Sequence, residues 1–287
     1  MKRLKKIELL DIVVWLIAIL ILAIVFIPFL YVVSLSLSGS SAILQGKVTI
    51  FPVDFTLASY TEMLKTPKIL NAYKNSFLYV GLGTVISVGL LLLTAYPLSR
   101  RALPGRGKFI GLVLFTMFFN GGLVPFYILM QNLGLIDTIW AIVIPFAIPQ
   151  FQLLLLKNYF ENVPEEIYEA AVIDGASEYR IFARIFVPLA VPIIATVAIM
   201  VATKEWNSYM IPLMYLNDPA KFPLQLVLRE MLVEENLQDS MYTQTATLTP
   251  TGLKNATVVI SILPLLIVYP FLQKYFIGSI YAGAVKG

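Results

Sequence analysis

Six stretches of the chain consist almost wholly of apolar residues, and each is about long enough to cross a lipid bilayer as a helix. A spanning helix needs roughly 20 consecutive, mostly apolar residues. Asp, Glu, Lys and Arg do not occur in any of the six before the last residue or two. The pattern predicts an all-α integral membrane protein with six transmembrane helices. The windows are 12–33, 77–99, 109–130, 138–156, 187–203 and 256–273.

Basic residues beside these windows predict the orientation, because Lys and Arg in short flanking loops stay on the cytoplasmic side. One basic group precedes the first window and another lies between the second and third, whereas QNLGLID, between the third and fourth, has none. Both termini, the 100–108 loop and 157–186 are therefore expected in the cytoplasm, and 34–76 and 204–255 outside. The two basic groups are Lys2, Arg3, Lys5 and Lys6, and Arg100, Arg101, Arg106 and Lys108.

The first apolar run resembles a secretory signal only in part. Small residues in SLSLSGSSA follow it, but the run exceeds twenty residues, whereas a signal sequence has an apolar core of 7–15. A retained first helix is the better interpretation.

Composition agrees with a membrane protein and removes several kinds of chemistry. Of 287 residues, 59% are hydrophobic and 13% charged, and the mean hydropathy of +0.82 exceeds that of soluble domains. The chain has neither cysteine nor histidine, so it lacks thiol chemistry, the usual general base and the commonest metal ligand. The net charge is +4, but the basic residues cluster at helix ends, so no nucleic-acid partner is expected. No constellation of residues indicates an enzyme.

The two long external loops have helix-like spacing of apolar and charged residues in FPVDFTLASYTEMLK and FPLQLVLREMLVEENL. Short helices over the external face are expected there. Without a low-complexity linker or a clear repeat, residues 1–287 are interpreted as a single transmembrane domain.

A compact charged segment interrupts this apolar chain between the fourth and fifth windows. Asn162 is expected to cap a helix that begins at Val163-Pro164, with Glu165 and Glu166 where the helix dipole favours negative charge. This helix has a small apolar face and is expected to end at Asp174-Gly175. Ser177 is expected to cap a second helix, which has its own apolar stripe and leads to Pro188 at the entry to the fifth window. The apolar face is Ile167, Ala170 and Ala171, and the stripe is Ile181, Phe182 and Ile185.

Two short helices joined by a glycine turn are therefore predicted on the cytoplasmic side. They could lie on lipid headgroups. However, residues 158–186 contain six acids and two bases, and the cytoplasmic leaflet is itself negative. A protein partner with a groove for a helix fits better.

EAAVIDGASEYRIFARIFVP, residues 169–188, resembles the EAA loop of ABC importer permeases. That pattern is E-A-A, three residues, G, nine residues and I-x-L-P, and the spacing here matches throughout, with Val187 in place of leucine. The resemblance implies a coupling loop, 158–188, that docks into a cleft on an ATPase subunit, and a permease core of about 73–275. The implied coupling residues are Glu169, Ala170, Ala171, Asp174, Gly175, Ile185 and Pro188.

Other stretches are similar to the carbohydrate-uptake, maltose-type branch of that family, namely KEWNSYMIPLMYL and the ending QKYFIGSIYAGAVKG. NGGLVPFYILMQNLGLIDTIWAIVIP and VYPFLQKYF look closest to the subgroup that imports complex oligosaccharides. The implied partners are a second six-helix permease forming a heterodimer, a pair of ABC ATPase subunits, an extracellular solute-binding lipoprotein and the bilayer of a bacterial cytoplasmic membrane.

The energy source is expected to be external to the chain. Transporters driven by protons or sodium place ionisable residues inside the membrane, and no window has one near its centre. PGRGKF, 104–109, is not a phosphate-binding loop, because Ala102 stands at the first glycine position and Phe109 at the Ser/Thr position. The chain is therefore expected to bind no cofactor, while a separate ATPase uses ATP and Mg²⁺.

A path for neutral, hydroxyl-rich sugars would use amides and aromatic faces. Asn120-Gly121-Gly122 with Pro125 could break the third helix, and Pro145 with Pro149 could break the fourth, which would open a cavity at mid-depth. Gly and Pro are also common in membrane helices, and polar residues there often only join helices. The candidate path residues are Asn120, Gln150, Gln152, Trp206, Asn207 and Tyr209.

The leading hypothesis is a permease subunit of an ATP-driven oligosaccharide importer. Alternatives are an importer permease for another solute class, an ATP-independent channel or facilitator with a cytoplasmic docking loop, and a membrane scaffold without a path.

Overall fold

A computed structural model of the chain describes residues 9–238 and 249–284, and every regular element within those ranges is helical. The first basic group, Lys2 to Lys6, lies outside the described residues, as do 239–248 and 285–287. The α-helices are α1 (Leu9–Ser36), α2 (Ser40–Leu44), α3 (Ala58–Lys65), α4 (Pro67–Ser99), α5 (Arg106–Phe118), α6 (Leu123–Asn132), α7 (Trp140–Val143), α8 (Gln150–Glu161), α9 (Glu165–Ile173), α10 (Glu178–Ile181), α11 (Val187–Leu189), α12 (Val191–Trp206), α13 (Met210–Tyr215), α14 (Leu224–Gln238) and α15 (Pro250–Ala284). A π-helical segment spans Phe182–Phe186, and a 3₁₀ turn spans Pro219–Lys221.

Three helical stretches are long and apolar enough to cross a membrane, namely Ile12–Ser36, Pro67–Ser99 and Pro250–Ile267. Two bent pairs raise this number to five if each pair forms one span. The chain turns by 114° between α5 and α6, and by 78° between Glu178–Leu189 and α12. The described residues thus contain three to five candidate spans rather than six uninterrupted ones.

The fourth predicted span is missing from this set because the window 138–156 is not one helix. It consists of α7, a non-helical stretch at 144–149 and the start of α8. Pro145 and Pro149 lie within the interruption, and proline both removes a backbone donor and disfavours helix in the residue before it. The third window is likewise broken, at residues 119–122, where Gly122 has a φ of 87°. The glycines and prolines predicted both breaks correctly.

The chain divides into two compact units, Met1–Leu70 with Leu228–Leu263 and Asn71–Val227 with Pro264–Gly287. In the first unit, hydroxyl groups satisfy the backbone after α1, where Ser38 Oγ donates to Ser34 O at 2.6 Å and accepts from Val53 N at 3.0 Å. The helices expected in both long loops are present as α3 and α14.

The second unit is built around α8, which packs against both α5 and α12. Buried side chains from α4, α8, α9 and α12 join one apolar cluster beneath the charged segment. The cluster includes Leu91, Leu156, Phe160, Ala171, Ile181, Phe186 and Val197.

Candidate functional site

The charged segment forms two helices and a tight turn. α9 ends in a Schellman motif: Gly175 N donates to Val172 O at 3.0 Å, and Ala176 N donates to Ala171 O at 3.0 Å. Gly175 has a φ of 72°, the left-handed conformation in which glycine carries no steric penalty. The glycine turn predicted from the sequence is confirmed. Glu165 and Glu166 occupy the first turn of α9, as the dipole argument predicted.

Three details of the local prediction were wrong. Asn162 does not cap α9; its Nδ2 donates to Asn158 O at 2.8 Å, so it satisfies the end of α8 instead. Ser177 occupies the N-cap position of α10, but its hydroxyl makes no capping bond. The second helix is α-helical only through Ile181 and continues as the π-helical segment Phe182–Phe186. Helix spacing cannot predict this wider winding, because an apolar stripe at Ile181, Phe182 and Ile185 suits either form.

The inner face of the segment packs onto the membrane helices. Ala171 is 7% exposed, and Ile181 and Phe186 are fully buried in the apolar cluster. Phe182 and Ile185 are partly buried against the same cluster, while Pro188 is exposed on α11. The segment is thus held against α4 and α8 along its length.

A hydrogen-bonded carboxylate, Glu178, anchors the segment to the membrane helices. Glu178 accepts a hydrogen bond from the Tyr96 hydroxyl of α4 at 2.8 Å, and its other carboxylate oxygen accepts one from the Tyr168 hydroxyl of α9. The bond to Glu178 raises the pKa of Tyr168 above the usual value for tyrosine, with desolvation adding to the shift. One carboxylate therefore links α4, α9 and α10.

Arg100, in the loop after α4, completes this anchor. Its guanidinium carbon lies 3.5 Å from the centre of the Tyr168 ring, a cation–π contact. Its Nη2 lies 3.7 Å from Glu165 Oε1. From the sequence, Arg100 was expected only to set the membrane orientation, and neither Tyr96 nor Tyr168 was expected to have a role. Because Tyr96 and Glu178 are 82 residues apart, their spacing gives no sign that they meet.

The outer face of the segment is open. Glu169, Ala170, Asp174 and Gly175 are exposed, and a Cβ on Gly175 would meet no atom within 4 Å. Ala170 and Ala171 therefore do not share one face. Large apolar side chains are also exposed around the turn, with Val172 48%, Ile173 85% and Tyr179 76% exposed. Exposed apolar residues beside carboxylates, on a hydrogen-bonded turn, form a surface suited to a protein partner.

The candidate path residues fall into three groups. The two asparagines serve local structure: Asn120 Oδ1 accepts from Gly122 N at 3.0 Å, and Asn207 Nδ2 donates to Thr203 O at 2.9 Å. Gln150 and Gln152 are half-buried in the first turn of α8, directly after the interruption in the fourth window.

The third group is aromatic. Trp206 is 5% exposed and packs edge-on against Phe77 of α4, with ring centres 5.2 Å apart. Tyr209 is 41% exposed. All six candidates lie in the second unit. The two aromatic candidates differ in exposure, since Trp206 is buried and Tyr209 is exposed.

The fifth window continues further than hydropathy predicted. α12 extends to Trp206 and so includes Lys204 and Glu205, which lie beyond the predicted span 187–203. Glu205 faces α4, because a Cβ added at Gly83 would lie 3.5 Å from Glu205 Cγ. Gly83 lies inside the second apolar window, so one ionisable residue does face a predicted span. Hydropathy windows end at the first charged residues, whereas the helix continues because Trp206 is buried against α4.

The comparisons with known proteins agree with this architecture. Residues 69–280 match the family described as "Binding-protein-dependent transport system inner membrane component". The Bacillus subtilis Protein LplC is 41% identical over 269 residues, which is 92% of this chain and 90% of LplC. The polygalacturonan/rhamnogalacturonan transport system permease protein YtcP of the same bacterium is 38% identical over 263 residues, 91% of this chain and 92% of YtcP.

A solved structure has the same fold. The crystal structure of a bacterial ABC transporter involved in the import of the acidic polysaccharide alginate contains a chain that is 33% identical, with a TM-score of 0.88. The match covers 96% of this chain and 99% of that one. The present chain therefore belongs to the family of inner membrane components of binding-protein-dependent ABC transport systems.

Proposed function

We propose that the chain is a permease subunit of an ATP-driven importer of oligosaccharides. It forms the translocation path with a second permease, receives substrate from an external binding protein, and couples to a separate pair of ATPase subunits. As a single domain in a bacterial cytoplasmic membrane it has six spans, counting both bent pairs and the interrupted fourth window. Both of its termini lie in the cytoplasm.

The observation that carries this proposal is the charged segment after α8. Its inner face is fixed by buried apolar side chains and by the Glu178 carboxylate, while its outer face presents Glu169, Ala170 and Ile173 to a partner. A connecting loop would need neither feature. An element fixed to the membrane helices on one side and open on the other suits transmission of movement from an ATPase.

The proposed mechanism follows from this arrangement. Closure of the ATPase pair on ATP moves its clefts, and α9 and α10 move with them as one body. Through Tyr96 and the apolar cluster, the movement reaches α4 and α8. Such coupling is reciprocal, so a change on the substrate side must also alter the ATPase side.

Two observations support oligosaccharides as the substrate class. Two of the similar proteins are described as taking part in polysaccharide transport. In this chain, Gln150 and Gln152 follow the interruption inside the fourth window, and non-helical backbone at membrane depth is tolerated only inside protein or beside a water-filled cavity. Of the six candidates, we propose Gln150, Gln152 and Tyr209 as path-lining residues, with Asn120, Trp206 and Asn207 supporting the path.

The experiment is ATP hydrolysis by the reconstituted complex in proteoliposomes, with co-encoded partners and an added ATPase subunit. Binding protein loaded with an oligosaccharide should stimulate hydrolysis in the wild type. Glu169→Lys should abolish the stimulation, because it reverses an exposed charge on the outer face of the segment, the proposed docking face for the ATPase. Glu62→Lys, the same reversal at an exposed position of α3, should leave ATPase copurification unchanged.

Two results would argue against the proposal. Stimulation that persists in Glu169→Lys would remove the coupling role from this segment. Substrate flux that needs neither ATP nor the binding protein would favour a facilitator with a docking loop.

A further inference from the structure

Three of the apolar segments converge on one aromatic side chain, Phe146. Phe126 of α6 stacks on it, with ring centres 5.5 Å apart and planes 16° from parallel. The Lys204 ammonium of α12 lies 5.2 Å from the centre of the Phe146 ring. Phe126 follows the break in the third window, and Phe146 lies within the break in the fourth. Both helix interruptions therefore adjoin the same aromatic pair and the same cation.

The position of Lys204 on α12 places this cation at membrane depth. The next residue, Glu205, faces Gly83 within the second apolar window. An ionisable side chain inside a membrane segment is expensive and commonly marks a substrate path.

The nearest charge to Lys204 along α12 is the carboxylate of Glu205, with which Lys204 interacts electrostatically. The salt bridges found in residues 9–238 and 249–284 do not include Lys204. Glu205 is adjacent in sequence, but consecutive residues on a helix do not face each other. Glu205 faces α4, whereas Lys204 extends over the Phe146 ring and is exposed. The ammonium is thus available to an anion.

We propose that Lys204 binds the carboxylate of an acidic, uronate-containing oligosaccharide in transit, with the Phe126–Phe146 pair supporting the sugar ring. This inference rests on the proposed function, since it names the substrate class of the same path. An ammonium pairs with a carboxylate through charge-assisted hydrogen bonds, which are stronger than bonds to neutral hydroxyls. The half-buried amides of Gln150 and Gln152 supply donors and acceptors for hydroxyl groups.

A purely structural role makes a different prediction. If Lys204 only packs on Phe146, its removal weakens the protein or the path for every substrate alike. If it binds a carboxylate, removal affects only substrates that carry one. The probes are therefore trigalacturonate and its full methyl ester, which have the same ring skeleton but differ in charge.

The experiment measures ATP-dependent uptake of both probes into proteoliposomes that contain the complete complex and its binding protein. Wild type is compared with Lys204→Gln, Lys204→Arg and Lys108→Gln, the last at an exposed position at the start of α5. The result is the ratio of acid to ester uptake in each variant relative to wild type. Any preference of the binding protein itself cancels in that comparison, because the same binding protein serves all variants.

Lys204→Gln should lower trigalacturonate uptake at least about tenfold, the scale of a lost hydrogen bond to a charged group. Uptake of the ester should change less than about twofold, within the scatter expected for a contact not made. Lys204→Arg should retain most acid uptake, and Lys108→Gln should change neither. Equal amounts of assembled complex by size-exclusion chromatography keep folding defects apart from binding.

Several outcomes would overturn the inference. An unchanged acid-to-ester ratio in Lys204→Gln would leave Lys204 a packing residue. Uptake of the ester and of maltotriose without uptake of the acid in wild type would refute the acidic class but leave oligosaccharide import standing. No uptake of any saccharide, together with no stimulation of ATP hydrolysis by loaded binding protein, would refute the proposed function and this inference together.

Discussion

Glu178 joins three elements through its two carboxylate oxygens, and this single residue links the charged segment to the membrane helices. It accepts from Tyr96 of α4 and from Tyr168 of α9, and Arg100 covers the Tyr168 ring. Removing one partner of a partly buried hydrogen bond typically costs about 1–3 kcal/mol. Here such a loss would weaken the connection between the docking face and the membrane helices.

Tyr96→Phe should weaken coupling more than it weakens docking. The change removes the hydroxyl bonded to Glu178 and keeps the ring, which packs against Phe160 and Phe186. We expect ATPase copurification to stay normal while stimulation of ATP hydrolysis by loaded binding protein falls several-fold. A loss of about 1.4 kcal/mol in coupling free energy corresponds to a tenfold decrease. Tyr159→Phe is the matched control, because the Tyr159 hydroxyl donates to Leu189 O and does not bond to Glu178. Equal losses in both variants would contradict the anchor.

Gly175 should tolerate asparagine better than valine. Its φ of 72° is a conformation that asparagine adopts readily and that a β-branched residue strongly disfavours. Since no atom lies within 4 Å of a Cβ there, the penalty is conformational, about 1–2 kcal/mol for an ordinary residue. Gly175→Val should therefore lose ATPase copurification, with Gly175→Asn near wild type. Equal copurification would show that the turn geometry does not matter for docking.

Residue patterns predicted local features of the site and missed its distant contacts. Gly175 and Glu165 were identifiable because glycine stops and first-turn acids are local rules. Tyr96, Tyr168 and Arg100 carry no such local sign, since their role depends on packing across the chain. The π-helical winding at Phe182–Phe186 was equally invisible.

At the scale of elements, Asp137 joins the turn before α7 to the segment after α13. Its Oδ1 accepts from Asn217 N at 3.0 Å and Asp218 N at 3.1 Å, and its Oδ2 lies 2.5 Å from Lys221 Nζ. The bond from Lys221, followed by those two backbone donors, lowers the pKa of Asp137 from 3.8 to about 2. The carboxylate thus favours the folded state only while it is ionised.

The sign of the resulting pH dependence follows from a lowered pKa. Stabilisation by Asp137 is present in full above its unfolded value of 3.8 and is lost as pH falls toward about 2. The difference in melting temperature between wild type and Asp137→Asn should therefore shrink between pH 5 and pH 2. Glu62→Gln, at an exposed position on α3, should show no such trend. A constant difference across this range would contradict the contact.

Hydropathy predicted where the apolar elements lie but not how each is broken. The windows 109–130 and 138–156 have enough apolar residues for a span, yet the chain bends at 119–122 and loses its helix at 144–149. Window averages miss these breaks because one asparagine and a few glycines and prolines change the mean over about twenty residues only slightly. The same averages ended the fifth window before Lys204, although α12 continues to Trp206.

At the scale of the whole molecule, the outer surface of the apolar helices must be covered by lipid or by another subunit. The most apolar part of α1 has a mean hydropathy of 3.2 and no buried side chain. Such a surface is stable only in a bilayer or against another membrane protein. This agrees with a family whose members are inner membrane components.

The proposed orientation predicts which positions are accessible from each side of the membrane. Because the chain has no cysteine, Leu64→Cys and Ile173→Cys each introduce a single thiol, at side chains 53% and 85% exposed. A membrane-impermeant maleimide should label Leu64→Cys in intact cells, from outside. Ile173→Cys should react only after the cells are permeabilised. Labelling of both positions in intact cells would refute the arrangement with cytoplasmic termini.

The most direct test of the central claim is the labelling rate of Ile173→Cys in the purified membrane complex, with and without the ATPase subunit. Ile173 lies on the open face of the segment, one residue before the turn. We predict that bound ATPase slows labelling at Ile173→Cys strongly and leaves Leu64→Cys unchanged. An unchanged rate at Ile173→Cys, in a complex that retains its ATPase, would show that the ATPase docks elsewhere.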